Sequence, residues 1–175
     1  ENVTNQTSVY DTGIYDSGDY ASYGAGSLVA ILDTGLDYTH DAYQKTPSVV
    51  TWDEEAVEDI FADLEKQGIT LNATKRSGAA ANDVFVSNKV PFAYDYADDD
   101  ADVYPSYSNH GTHVAGIIGG YDENGYTDKD GEQINETFKG VVPDAQLVIC
   151  KVFTDDLDDE DLGGAVAEDI IAALE

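Results

Sequence analysis

The chain has 175 residues, 42% of them hydrophobic, which is enough apolar material for one domain with a real core and too much for a disordered chain. It carries 36 Asp plus Glu against 8 Lys plus Arg, a formal net charge of −28. That excludes a nucleic-acid binder and a ligand of anionic membrane surfaces, whose phosphates would repel it, and leaves a solvated surface, cation binding or basic substrates. The single cysteine, Cys150, allows no disulfide within the chain, and no stretch reaches transmembrane length. The opening at Glu1, without a signal-peptide pattern, reads as a processed start.

Residues 1–26 are rich in Thr, Ser, Gly, Asp and Tyr without apolar period, and predict an irregular arm pinned by Tyr10, Tyr15, Tyr20 and Tyr23. Gly24-Ala25-Gly26 turns the chain into Ser27–Leu32, an apolar run suited to a strand buried on both faces, which stops at Asp33-Thr34-Gly35. His40 reads as a structural histidine that bonds neighbouring backbone. Residues 45–90 read as an insertion that widens the gap before the next motif. Within it, Asp53 to Gln67 has a helical period with Val57, Ile60, Phe61 and Leu64 on one face, Thr51 or Asp53 as cap, Lys66 in the last turn and Gly68 as the stop. We expect this helix near the rim of the site, and residues 72–83, small and polar, as a mobile loop.

Pro91–Tyr96 predicts a short strand. Asp98 to Asp102 is an acidic run, read either as a solvated loop or as a lining of the cleft near His110. Asn109 to Gly120 is a polar, glycine-marked entry followed by small and apolar residues, the pattern of a buried helix with His110 in its first turn. Gly111, Ala115, Gly116 and Gly119 let other backbone approach that helix. Tyr121 to Glu136 is a polar loop in which Asp122, Asn124, Asp128 and Asp130 are candidate oxygen ligands for a structural Ca²⁺. Gly140–Ala145 is a turn and Gln146–Phe153 a strand holding Cys150 as a core residue. Asp161 to Leu174 predicts a helix with Leu162, Ala165, Val166, Ile170 and Ala173 on one side.

An acid ending a buried strand and a histidine starting a buried helix can meet at the mouth of an open α/β sheet. Such a histidine exchanges a proton near neutral pH once a second group fixes its tautomer. Val29–Asp37 with His40, and His110-Gly111-Thr112-His113-Val114-Ala115-Gly116, resemble the aspartate and histidine motifs of the subtilisin-like serine proteases (subtilases) in that family's chain order. The wide spacing between them and the acidic, Tyr-rich character resemble the large cell-envelope subtilases of Gram-positive bacteria, a group that includes lactococcal proteinase and streptococcal C5a peptidase. The resemblance covers residues 24–175.

The resemblance implies a three-layer α/β sandwich with a mostly parallel central sheet, of which this chain is the N-terminal half: an arm (1–26) and a catalytic half-domain (27–175) with the insertion at about 45–90. It implies Asp33 and His110 as catalytic residues of a serine endopeptidase, and an arm that follows a removed prosegment. The family's serine belongs to a Gly-Thr-Ser-Met-Ala-like motif that does not occur in this sequence, and its oxyanion-hole asparagine also follows residue 175; the chain alone is therefore expected to be inactive. Partners are a protein or peptide substrate and the remainder of the catalytic domain, with no nucleic acid and no membrane insertion. No cofactor is required for the chemistry. The location implied is secreted or on the cell wall of a bacterium. Where several subtilisins carry a calcium-binding aspartate, this chain has Ala42, a departure from their strong calcium site.

Three rival readings stand beside this one. Asp11-Thr12-Gly13 and Asp33-Thr34-Gly35 both spell the aspartic-protease signature, although Asp11 lacks a buried strand before it. His110 and His113 lie three apart, but without the glutamate of the zincin pattern; His113 is expected to be structural, hydrogen-bonded behind the site. The last rival is a catalytically inactive subtilase-like domain used for binding or adhesion.

Overall fold

The computed structural model describes residues 23–127, 130–155 and 164–175. In chain order the elements are β1 (Leu28–Asp33), a 3-10 turn (Asp41–Tyr43), α1 (Glu54–Lys66), α2 (Asn72–Ser77), α3 (Ala81–Val84), β2 (Phe92–Asp95), α4 (His110–Gly119), β3 (Tyr121–Asp122), β4 (Tyr126–Thr127), β5 (Gln133–Ile134), β6 (Phe138–Lys139), β7 (Gln146–Lys151) and α5 (Ala167–Leu174). Of the predicted arm, only the Tyr23–Gly26 turn lies within the described residues; there the Asp144 N–H donates to the Tyr23 carbonyl at 2.8 Å.

The most completely buried strand takes the centre of the sheet. β7 lies between β1 and β2, parallel to both. Its alternate side chains serve the two faces of an α/β sandwich, as buried parallel strands require. Leu147 and Ile149 pack with Ile31, Ala93 and Ala115 beneath α4. Cys150 packs with Tyr94, Val57, Ala73 and Val84 on the opposite face, which α1, α2, α3 and α5 cover. Burying a side chain such as Leu147 or Ile149 contributes about 1.5–3 kcal/mol. Gln146, also fully buried, is satisfied at both ends of its amide by the backbone of Thr51, Trp52 and Asn88.

The helix read over Asp53–Gln67 is α1. Asp53 caps it by accepting the Ala56 N–H at 2.8 Å, and Val57 is its buried contact. It packs on the face opposite α4. Residues 72–83 are not a mobile loop but the short helices α2 and α3. Their small residues turn inward, with Ala73 and Val84 fully buried, and Arg76 ties them down through Tyr96 O, Asp99 and Asp169.

Two further expectations fail in detail. β1 is not buried on both faces: only Ile31 is fully buried and Ala30 is exposed, because among the described residues β1 has a neighbouring strand on one side only. α5 starts at Ala167, not Asp161, because Ala165 is engaged in an antiparallel bridge with Phe153; Asp161 and Leu162 lie outside the described residues. The segment 121–136, read as a polar loop, forms parts of two small antiparallel pairings, β3 with β6 and β4 with β5.

Candidate active site

The three parallel strands end in step. Asp33, Lys151 and Asp95, the last residues of β1, β7 and β2, are register partners across the sheet. Asp33 therefore sits at the carboxyl edge of the sheet, where open α/β folds leave room for a site. Beyond it Gly35 takes a φ of +101°, a conformation that favours glycine, and the Leu36 N–H reaches the Val103 carbonyl at 2.9 Å.

His110 is the first residue of α4, and the small residues that follow let the helix lie down on the sheet. Gly119 is so close to Leu147 that a Cβ there would stand 2.9 Å from Leu147 Cδ2. At the other end a Cβ on Gly111 would stand 2.3 Å from the Gly35 carbonyl oxygen. This close crossing carries His110 to Asp33: Nδ1 is 2.8 Å from Oδ1 and 3.0 Å from Oδ2, between residues 77 apart in sequence. Asp33 is 14% exposed and His110 65%.

A carboxylate only accepts hydrogen bonds, so the Nδ1 that faces it carries the proton, and in the neutral ring Nε2 is left as an acceptor. The Thr34 N–H donates to Asp33 Oδ1 at 2.7 Å and helps to aim the carboxylate.

Hydroxyl groups lace the two loops together. Thr34 Oγ1 accepts the Gly111 N–H and donates to the Ser108 carbonyl, both at 2.9 Å, and so grips the chain on either side of His110. Thr112 Oγ1 accepts the Asp37 N–H at 2.9 Å, and the Tyr43 hydroxyl donates to the Thr112 carbonyl. Sequence reasoning quoted both threonines within the motifs but gave neither a role. Their signal was a hydroxyl residue next to each motif glycine, placed to satisfy backbone that the crossing takes from water.

The acidic run is exposed at Asp98, Asp99, Asp100 and Asp102, as the solvated-loop reading had it, and its acids bond partners other than His110. Asp98 bonds Lys151 and Thr154, Asp99 bonds Arg76, and Asp102 meets the Tyr38 hydroxyl at 3.3 Å. Burial opposes the charge of Asp98, but the hydrogen bonds from Lys151 and Thr154 hold its carboxyl below the usual range. Burial likewise opposes the Lys151 ammonium, yet hydrogen bonds to Asp95 and Asp98 hold it above the ordinary lysine range.

The remaining candidates sort as follows. His40 Nδ1 accepts the Ala42 N–H at 3.1 Å, the structural role read for it. His113 is exposed on α4 and does not sit behind the site. Cys150 is buried, and burial pushes its thiol up to about 12, which makes it a poor nucleophile. Of the Ca²⁺ candidates, Asp122 lies in β3 and accepts the Asn124 N–H at 2.8 Å, Asp130 lies in the following turn, and Asp128 is outside the described residues. Among the described residues no group of three or more His, Cys, Asp or Glu side chains is placed to hold a metal ion. Nor, among them, is any helix long and apolar enough to cross a membrane.

Comparison with known proteins gives the family. A sequence profile of the subtilase family matches residues 24–173. The chain is 31% identical over 159 residues to a PII-type proteinase of Lacticaseibacillus paracasei, covering 90% of this chain and 7% of that protein. It is 32% identical over 138 residues to a PI-type proteinase of Lactococcus lactis subsp. cremoris, covering 78% and 6%. It is 31% identical over 134 residues to a C5a peptidase of Streptococcus pyogenes, covering 75% and 10%. The chain thus spans a tenth or less of the length of these relatives.

Proposed function

This chain belongs to the subtilase family, and on that premise we propose that Asp33 and His110 are the orienting acid and the general base of a serine endopeptidase. The observation that carries the reading is the contact of His110 Nδ1 with both Asp33 oxygens. His110 Nε2 takes the proton of a serine hydroxyl as the oxygen attacks the scissile carbonyl, then gives it to the departing amine. Asp33 keeps the ring in the tautomer this needs and stabilises the imidazolium as it forms. Water, deprotonated by the same nitrogen, then releases the acyl group. The serine and the oxyanion-hole asparagine come from outside these 175 residues, so the segment alone is inactive. The substrate is a protein or peptide, and the whole protein acts outside the cytoplasm, secreted or held on a bacterial cell wall.

The two-aspartate alternative gains no support, because the Asp33 carboxylate is already engaged by His110 and the Thr34 N–H. The test is labelling and turnover in the intact protein. A fluorophosphonate labels the wild type, and Asp33→Ala lowers kcat by roughly 10⁴-fold and His110→Ala by roughly 10⁶-fold, with KM little changed in both. Absence of labelling, with peptide binding retained, would instead identify a subtilase-like binding domain.

A further inference from the structure

The row of strand ends contains two residues for which the chemistry above has no use, Lys151 and Asp95. Lys151, between Asp33 and Asp95 in the register, is 2% exposed. Its ammonium bonds Asp95, lies 2.8 Å from Asp98 and 3.4 Å from Asp155, and so gathers three carboxylates.

Each of those carboxylates in turn holds backbone. Asp95 Oδ1 accepts the N–H groups of Ala97 and Asp98 at 2.9 and 3.0 Å. Asp98 accepts the Asp155 N–H at 3.3 Å and the Thr154 hydroxyl at 2.6 Å. Asp155 accepts the N–H of Ser106 at 2.9 Å and that of Tyr107 at 3.0 Å. The next residue, Ser108, receives the Thr34 hydroxyl on its carbonyl and the His110 N–H on its own hydroxyl. One path therefore runs from the ammonium through Asp155 and residues 106–108 to His110.

A second path runs through the lysine stem. A Cβ on Gly35 would meet Lys151 Cδ at 3.1 Å, so the stem lies directly beneath the residue that Gly111 crosses. The Val152 N–H also donates to the Asp33 carbonyl at 3.0 Å. The same lysine touches both the turn that follows Asp33 and the anchor of the segment that delivers His110.

Stability alone is a weak reason for this arrangement. Two charges removed from water recover little net free energy, and apolar side chains of similar volume often fill such a site as well. An apolar residue could not, however, aim three carboxylates at backbone donors. We propose that Lys151 is a positioning residue for the Asp33–His110 couple, acting through Asp155 and Gly35 to fix the register of the two loops. The proposal rests on the peptidase reading of the site. Lys151 touches neither substrate nor the reacting atoms.

The experiment uses the intact proteinase, with kcat counted per site labelled by a fluorophosphonate, so that misfolded molecules drop out of the measurement. Lys151→Met and Asp155→Ala are expected to lower kcat per labelled site by roughly ten- to a hundredfold with KM within about twofold, the signature of a misplaced base. Asp155→Asn, which keeps a carbonyl acceptor, is expected to recover part of the loss. If Lys151→Met does not fold, Asp155→Ala decides the matter alone, since its side chain is 18% exposed and lies at the edge of the cluster. Wild-type kcat per labelled site in Asp155→Ala overturns the proposal, even if its melting temperature falls. A wild-type protein that takes up no label sinks the peptidase reading and this proposal together; a labelled wild type with unaffected variants sinks this proposal alone.

Discussion

Gly111 and Gly35 cross so closely that a Cβ on Gly111 would lie 2.3 Å from the Gly35 carbonyl oxygen and 3.1 Å from Asp33 Oδ1. No real side chain fits there. The atom it would strike is backbone, and the Gly35 φ of +101° leaves the turn few ways to yield. The distance between His110 and Asp33 is set by the absence of two side chains as much as by the groups that bond.

Gly111→Ala therefore has to push α4 off the turn after Asp33. We expect a loss of about 1–3 kcal/mol in stability, the usual cost of overpacking, and a fall in kcat of about a hundredfold from a displacement on the order of 1 Å. Thermal melting and turnover of the intact protein check both. A variant that matches the wild type in each would mean that the crossing is looser than the geometry states.

Thr34→Val tests the hydroxyl lacing without adding bulk. Valine keeps the shape but leaves the Gly111 N–H and the Ser108 carbonyl without their 2.9 Å partner. Each part-buried group so stranded costs about 1–3 kcal/mol, and the residues between them are Asn109 and His110. We expect lower stability and a kcat reduced by roughly tenfold or more, with substrate affinity retained. Thr34→Ser, which restores the hydroxyl, should recover most of the activity; equal activity in Thr34→Val and Thr34→Ser would show that the bonds do not matter.

Lys89 offers a pH test far from the site. It is 2% exposed, and its ammonium donates to the carbonyls of Pro143 and Ala145 at 2.8 and 2.6 Å. Burial pushes its pKa down to about 8, with Lys45 adding to that push and Asp144 opposing it. The folded chain gives up this proton more readily than the unfolded one. Between about pH 8 and pH 10.5 the unfolded state holds more protons, so this group makes stability rise with pH across that window. The rise is on the order of 3 kcal/mol in all. Other groups, the Cys150 thiol among them, titrate in the opposite sense, so the comparison is wild type against Lys89→Met, by denaturation midpoints at about pH 7.5 and about pH 10. The wild type should gain on the variant as pH rises. Parallel midpoints would show that Lys89 stays charged when folded.

What could be read from the residues in order was local. The apolar run before Asp33, the glycine–alanine spacing after His110 and the cap, stripe and stop of α1 are patterns that a strand or helix imposes on its own neighbours in sequence, and each element formed close to where it was expected. The motif residues pointed to an Asp–His pair for the same reason: each motif contains the small residues that its half of the crossing requires. Pairing between charges had no such local signature. The acidic run looked alike at every position. What gave Asp98 and Asp99 different roles was the parallel register, which set Lys151 beside Asp95, and the folding of α2, which set Arg76 beside Asp99. The small polar residues of 72–83 likewise revealed their helices only once the sheet face under Ala73 and Val84 existed to bury them. A side chain's partner across the fold depends on which strands lie together and in what register, and that is a property of the packed sheet rather than of any stretch of chain.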